Sequence, residues 1–182
     1  MRTPFISLLR AINVSGQNQI RMPELKSVYE SLGLQQVTPY LQSGNVVFVG
    51  ETMDDAVLQT KIEAAILSHW GFIVPVLIRS LQEFQQLVEA HPFTSLQLSD
   101  PSRVAAVFLS AVPRSEAAQQ VVLPAASADW FKLDGRTVYL HCPDGFGRTK
   151  LTNAFFEKKL QVTATSRNWN TVNALLELAK TR

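Results

Sequence analysis

Asp129-Trp130-Phe131-Lys132-Leu133-Asp134-Gly135-Arg136-Thr137-Val138-Tyr139-Leu140-His141-Cys142 reads as two short strands joined by a two-residue turn. Asp-Gly between alternating apolar residues is a strong hairpin signal, because glycine adopts the positive φ of a tight turn at no steric cost. With Asp134-Gly135 as the turn, Leu133 faces Arg136, Lys132 faces Thr137 and Trp130 faces Tyr139. Alternation then puts Trp130, Lys132, Tyr139 and His141 on one face and Phe131, Leu133, Val138 and Leu140 on the other.

Outward from this hairpin the pattern is symmetrical. Residues 114–123 carry Ala117, Ala118, Val121 and Val122 on one side of a helix, and residues 103–110 before them form an apolar strand. On the other side residues 150–160 read as a helix and 162–167 as a strand, giving β-α-β-β-α-β, the split βαβ order. A last helix carries Val172, Leu175, Leu176 and Ala179 at helical spacing.

The same order occurs earlier. A strand at 5–12 precedes a helix that starts near Pro23, carries Leu25, Val28, Tyr29 and Leu32, and stops at Gly33. Strands at 37–41 and 45–49 flank Gln42-Ser43-Gly44, the first at a sheet edge because Pro39 cannot donate to a ladder. Asp54 caps a helix with Leu58, Ile62, Ala65, Ile66 and His69 on one face, Gly71 ends it, and residues 72–79 form a fourth strand. Ser80 and Glu83 make a capping box for a further helix, and the Ser- and Pro-rich stretch 92–102 marks a boundary. The expected fold class is therefore α+β: two tandem ferredoxin-like (βαββαβ, α-β plait) units with a linker helix and a C-terminal helix. The first unit spans 1–79, the linker helix and loop 80–101, and the second unit with its C-terminal helix 102–182.

Composition narrows the function classes. With 46% hydrophobic and 18% charged residues in 182, the chain can bury a core. Its longest apolar runs fall far short of the roughly 20 residues that span a bilayer, and the start of the chain lacks the features of a secretory signal, so a cytoplasmic protein without membrane contact is expected. One cysteine, Cys142, excludes an internal disulfide and a cysteine-cluster zinc site. His69, His91 and His141 have no spacing of a metal site or triad, so no metal and no cofactor is expected. A net charge of +2 does not by itself select nucleic acid.

Four segments could hold a ligand. The densest is Asp144-Gly145-Phe146-Gly147-Arg148-Thr149-Lys150, between a strand and a helix. Glycines let backbone amides approach an anion there, and two cations follow at a helix N-terminus. The spacing is not that of a P-loop, and an ordinary turn with Thr149 as N-cap explains the same residues. The second is the aromatic and basic hairpin face with Trp130 and Tyr139, of the kind on which bases stack, although the RNA-binding strand signature is missing, and packing of the two units there or cover by the linker helix is the favoured expectation. The third is Arg167-Asn168-Trp169, with an asparagine to cap the last helix. The fourth is the amide-rich loop from Arg10 to Asn18.

Ser7-Leu8-Leu9-Arg10-Ala11-Ile12-Asn13-Val14, Gln42-Ser43-Gly44-Asn45-Val46-Val47-Phe48, Gly145-Phe146-Gly147-Arg148-Thr149-Lys150-Leu151-Thr152-Asn153-Ala154 and Arg167-Asn168-Trp169-Asn170-Thr171-Val172, in this order, resemble the bacterial family catalogued as domain of unknown function 1697. The resemblance covers nearly the whole chain. It implies a two-part α-β plait and carries no established activity or catalytic residues. That family usually has glycine where this chain has Ala11 and Ser15. The matched segments coincide with the loops above, so the candidate ligand-binding residues are Arg10, Asn13, Asn18, Ser43, Asn45, Gly145, Gly147, Arg148, Thr149, Lys150, Asn153, Arg167, Asn168 and Trp169. The expected function is binding of a phosphorylated small molecule, a nucleotide or single-stranded nucleic acid by a monomer. The alternatives are an enzyme acting on such a ligand and a protein-interaction module using an open sheet face.

Overall fold

The computed structural model describes residues 2–51, 54–93, 100–123 and 127–182. The chain forms two compact units, one of Met1–Gln86 with Ala174–Arg182 and one of Leu87–Asn173. The boundary loop expected over 92–102 lies partly outside the described residues, which omit 94–99.

In the first unit β1 (Arg2–Leu9), α1 (Met22–Ser31), β2 (Gln35–Tyr40), β3 (Asn45–Glu51), α2 (Asp55–Trp70) and β4 (Val76–Ser80) give a four-stranded sheet in the order β2-β3-β1-β4. In the second, β5 (Val104–Leu109), α4 (Ser115–Gln119), β6 (Trp130–Asp134), β7 (Thr137–His141), α5 (Asn153–Leu160) and β8 (Ala164–Asn168) repeat that order as β6-β7-β5-β8. Every pairing is antiparallel. These are two tandem ferredoxin-like units, as the element order predicts. Helices α3 (Leu81–Glu89) and α6 (Trp169–Lys180) follow the last strand of each.

Alternation decides what each sheet buries. In the first unit Phe5, Leu9, Val46, Phe48, Val76 and Ile78 point at α1 and α2 and join Leu25, Tyr29, Leu58, Ile62 and Ile66 in one core. Phe5 stacks on Phe48 at 5.8 Å, and Tyr29 meets Phe48 edge-on at 5.5 Å. The one polar side chain among these strand positions, Ser7, is matched by the Tyr29 hydroxyl at 2.9 Å, which leaves neither hydroxyl orphaned. The opposite face is closed too: Ile6, Leu8, Val47, Leu77 and Arg79 are all buried. There the Arg182 Nη2 donates to Thr38 Oγ1 at 2.6 Å. Edge strand β2 accommodates Pro39, as expected, and carries a register shift between Gln35 and Thr38 where Gln36 has φ +50°.

The second unit is built alike. Val107, Leu109, Val138, Leu140, Phe156 and Leu160 form its helix-side core. On the other face Tyr139 is buried and its hydroxyl donates to the Leu87 carbonyl at 2.7 Å. Phe93 packs on Tyr139 at 5.9 Å and on Trp169 at 5.0 Å. The hairpin face considered for stacking is thus occupied at Tyr139, in line with the favoured expectation that it is covered, while Trp130 and His141 are half-buried and Lys132 is exposed.

Several boundaries differ from expectation for definable reasons. The β6–β7 turn falls at Gly135-Arg136 rather than Asp134-Gly135, so Asp134 pairs with Thr137 and Trp130 with His141. The slip changes each partner by two residues, which preserves the face of every side chain. Helix α4 ends at Gln119 and Val122 is exposed; the sequence runs into Pro124, which disfavours helix in the residue before it. His69, expected on the apolar face of α2, lies in its last turn and is exposed. The cap at Asp54, whose Oδ1 accepts from Ala56 N at 2.8 Å, and the Ser80–Glu83 capping box form as predicted.

Gly44 is a position with no latitude. It has φ +78°, and a Cβ there would lie 2.7 Å from both Leu9 Cβ and Ile12 Cδ1. Gly44→Ala is expected to cost about 2–4 kcal/mol from overpacking plus left-handed strain, read as a lowered urea midpoint at unchanged slope. A loss below 0.5 kcal/mol, within the range of a neutral surface change, would show that the hairpin tip does not sit against β1 in this way.

Candidate functional site

After β7 the chain makes a compact loop. Cys142 N still donates to Arg103 O at 2.8 Å, Gly145 N turns back to Cys142 O at 2.9 Å, and Arg148 N reaches Gly145 O at 3.2 Å. Gly145 has φ +89°, and a Cβ on it would meet Arg103 Nη1 at 2.7 Å, so the guanidinium lies against the glycine backbone. Arg103 Nε also sits 3.6 Å from Asp100 Oδ2. Gly147 has no such requirement: a Cβ there meets nothing within 4 Å.

Thr149 is not the helix cap. Its hydroxyl donates to Asp129 Oδ2 at 2.6 Å and accepts from Leu151 N at 3.0 Å, tying the loop to the residue that leads into β6. The cap is Thr152, whose Oγ1 accepts from Phe155 N at 3.2 Å, so α5 starts at Asn153. Arg148 and Lys150, both exposed, precede the helix instead of occupying its first turn. Of the two hydroxyl residues before the helix, Thr149 accepts from the amide two residues on and Thr152 from the amide three residues on, and only Thr152 stands at the helix start.

Beside this loop lies a pocket of about 330 Å³. Thr149, Thr152, Asn153, Ser166 and Asn168 provide its polar lining, Ala105, Leu140 and Leu151 its apolar one, and exposed Phe146 belongs to it as well. Asn168 Oδ1 accepts from Thr171 N at 2.8 Å, which caps α6 as the sequence suggests. Asn153 Oδ1 is buried and has no hydrogen-bond partner. The first two amides of α5, on Asn153 and Ala154, have no carbonyl one turn back within the helix. The Cys142 thiol is buried nearby, and burial pushes its pKa up to about 11, which disfavours the thiolate at neutral pH.

Two expected contributors are committed elsewhere. Arg167 is buried, with Nη1 donating to Thr165 Oγ1 and Ser166 O, each at 2.8 Å. Trp169 is buried among His91, Phe93 and Tyr139. His91 Nδ1 accepts from Phe93 N at 3.3 Å, and burial holds its pKa below the ordinary 6.5.

In the first unit Arg10, Asn13, Asn18, Ser43 and Asn45 come together at the β1–α1 loop and the β2–β3 tip. Asn13 Nδ2 donates to Ile20 O (3.0 Å) and Gln42 O (2.8 Å), and its Oδ1 accepts from Ile20 N at 2.8 Å. Asn45, fully buried, donates to Tyr40 O at 2.8 Å and Ser43 Oγ at 3.0 Å, and Asn18 Nδ2 donates to Ala11 O at 3.3 Å. Arg10 N donates to Pro75 O at 2.8 Å. These amides are the scaffold of two loops.

The profile of the family described as "Protein of unknown function (DUF1697)" matches residues 2–139. The chain belongs to that family. No curated relative matches it. A solved structure of a conserved bacterial protein from Streptococcus pneumoniae is similar in fold, with a TM-score of 0.74 at 23% identity over 98% of this chain and 99% of that one. Membership in DUF1697 gives the loop a physical reading. Ala11 and Ser15, where the resemblance above implies glycine, have φ +56° and +51°. The loop keeps a left-handed backbone at both positions without the residue that adopts it freely. No described helix is long and apolar enough to cross a membrane, and among the described residues no group of three or more His, Cys, Asp or Glu could hold a metal ion.

Arg103, Asp129 and Ser166 escaped the sequence reading because nothing local marks them; they reach the site by strand register and one long-range hydrogen bond.

Ala11→Gly and Ser15→Gly are each expected to raise stability by about 0.5–1 kcal/mol, the reverse of the usual sign, because relief of left-handed strain exceeds the added chain entropy. Urea titration of the single variants decides; destabilisation by both would contradict the loop geometry. A second expectation concerns His91. Its folded pKa lies below 6.5, so as pH falls beneath 6.5 the unfolded chain takes up the proton first. The stability due to neutral His91 is complete above 6.5 and is lost below it. Thermal midpoints across pH should show this decline in the native chain and a smaller one in His91→Gln.

Proposed function

We propose that the chain binds a small phosphorylated molecule bearing hydroxyl groups, of nucleotide or sugar-phosphate type, at the Gly145–Lys150 loop and the pocket beside it. The observation that carries this reading is Asn153 Oδ1, buried and without a partner in that pocket's lining. A buried acceptor left unsatisfied costs about 1–3 kcal/mol, and a ligand hydroxyl would supply the missing donor. The adjoining features suit the phosphate. Arg148 and Lys150 are exposed beside the pocket, and the α5 N-terminus has two amides free of intrahelical partners, in the favourable direction of the helix dipole.

Binding is favoured over catalysis by the lining itself. Its residues are aliphatic, aromatic, hydroxyl and amide, with no titratable side chain to act as acid or base. A small ligand is favoured over single-stranded nucleic acid because Tyr139, the central aromatic of the candidate stacking face, is buried and hydrogen-bonded to Leu87.

Calorimetric titration with ribose 5-phosphate, adenosine monophosphate and inorganic phosphate tests the proposal. At least one organic phosphate should bind with an affinity that falls as salt rises. Arg148→Ala with Lys150→Ala should weaken it about tenfold or more, at roughly 1–3 kcal/mol for loss of such contacts. Asn153→Ala should weaken the organic phosphates and leave inorganic phosphate unchanged. Absence of binding at millimolar ligand, or an affinity indifferent to the double substitution, refutes the assignment.

A further inference from the structure

The first unit contains a larger cleft, about 580 Å³, which the proposal above does not use. Asn13, Gly16, Gln19 and Arg21 line it from the β1–α1 loop, Gln42 from the β2–β3 tip, and Trp70 from the end of α2, with Glu24 beside Arg21.

Backbone strain is concentrated in the two segments that form it. Ala11, Asn13, Ser15 and Asn18 in the loop and Leu41 in the tip all have φ between +48° and +59°. Outside glycine such a conformation costs about 1–2 kcal/mol per residue, less for asparagine. It persists only where surrounding contacts over-determine it, as the three bonds of Asn13 do here. Two strained segments pinned to each other around a cleft form a fixed rim, the arrangement of a ligand clamp.

The lining then specifies the ligand. Trp70 is half-buried, packed against the core, with its ring 4.3 Å from that of His69. It offers a positioned aromatic surface. Gln19 and Gln42, both exposed, present amides that donate and accept. Arg21 and Glu24, 3.9 Å apart, add donors and an acceptor whose charges cancel. A lining of zero net charge does not select an anion. An aromatic face with mixed donors and acceptors around it complements a flat heterocycle whose edge carries both. The volume falls in the range of about 300–1,000 Å³ usual for small-molecule sites. We infer that this cleft binds a neutral heterocycle of nucleobase type, stacked on Trp70 and read by Gln19, Gln42, Arg21 and Glu24.

This inference is independent of the phosphate reading, which concerns the other unit, a different ligand group and different residues. The test is a two-dimensional ¹H–¹⁵N titration of the full chain with adenosine, guanosine, cytidine and uridine, and with glucose and inorganic phosphate as controls. At least one nucleoside should give saturable shifts at Trp70 Nε1–H and at the side-chain amides of Gln19 and Gln42. Phosphate and glucose should give none. Trp70→Ala should weaken that nucleoside about fivefold or more. Because Trp70 touches the core, Gln42→Ala provides a second variant: the Gln42 backbone oxygen, not its side chain, accepts from Asn13, so the loop is retained. This variant should also weaken binding. The inference fails if no nucleoside shifts these groups at millimolar concentration, if glucose shifts them equally, or if both folded variants bind as tightly as the native chain.

Discussion

The structure depends on burial of both faces of each central strand. Along β1, Phe5, Ile6, Leu8 and Leu9 are all at or below 2% exposure, and along β5 the same holds from Val104 to Leu109. A four-stranded sheet of this order needs helices on one face only. Here side chains of both parities are removed from water, so each plait must be covered twice. In the sequence this appears as continuous apolar runs where a half-solvated strand would alternate.

Two-sided burial explains the polar groups found inside. Arg79 and Arg167 occupy equivalent places, one opposite Ile6 on β1 and the other opposite Ala106 on β5, and both are buried on the face away from the plait helices. Each precedes a residue that caps the following helix, Ser80 in one unit and Asn168 in the other. The Tyr139 hydroxyl is satisfied by the Leu87 carbonyl, and burial, reinforced by Asp134, pushes its pKa up to about 12. With both faces sealed, the candidate binding surfaces are at the ends of strands. There the loops carry the positive-φ residues, the uncommitted amides and the exposed cations.

Much of this was legible because it rests on local rules. Periodicity, Gly44, Gly71, Asp54, the Ser80–Glu83 box and the Gly135 hairpin specify the elements and their order, and parity assigned the hairpin faces correctly even though the turn lies one residue further on. What escaped depends on contacts between distant residues. The Asp129–Thr149 bond joins residues 20 apart in sequence, and no local signal announces it. Arg167 and Trp169 carry side chains suited to a ligand, yet strand parity and the packing of Phe93 bury them. Asn13 looked like a ligand contact and is a brace, since a side chain that can hold a ligand can equally hold its own loop. The Arg79–Arg167 correspondence was hidden because the halves share positions in a ladder and not a sequence.

The most direct test of the sealed sheets is solvent paramagnetic relaxation of methyl groups by a soluble, uncharged gadolinium chelate. Ile62 and Ile66 report the helix side of the first sheet, Ile6, Leu8 and Leu77 its other side, and Ile73, at 75% exposure, open solvent. The account predicts that Ile6, Leu8 and Leu77 are as weakly relaxed as Ile62 and Ile66. Relaxation of these three approaching that of Ile73 would mean that the second face is open, and would return the sheet itself to the list of working surfaces.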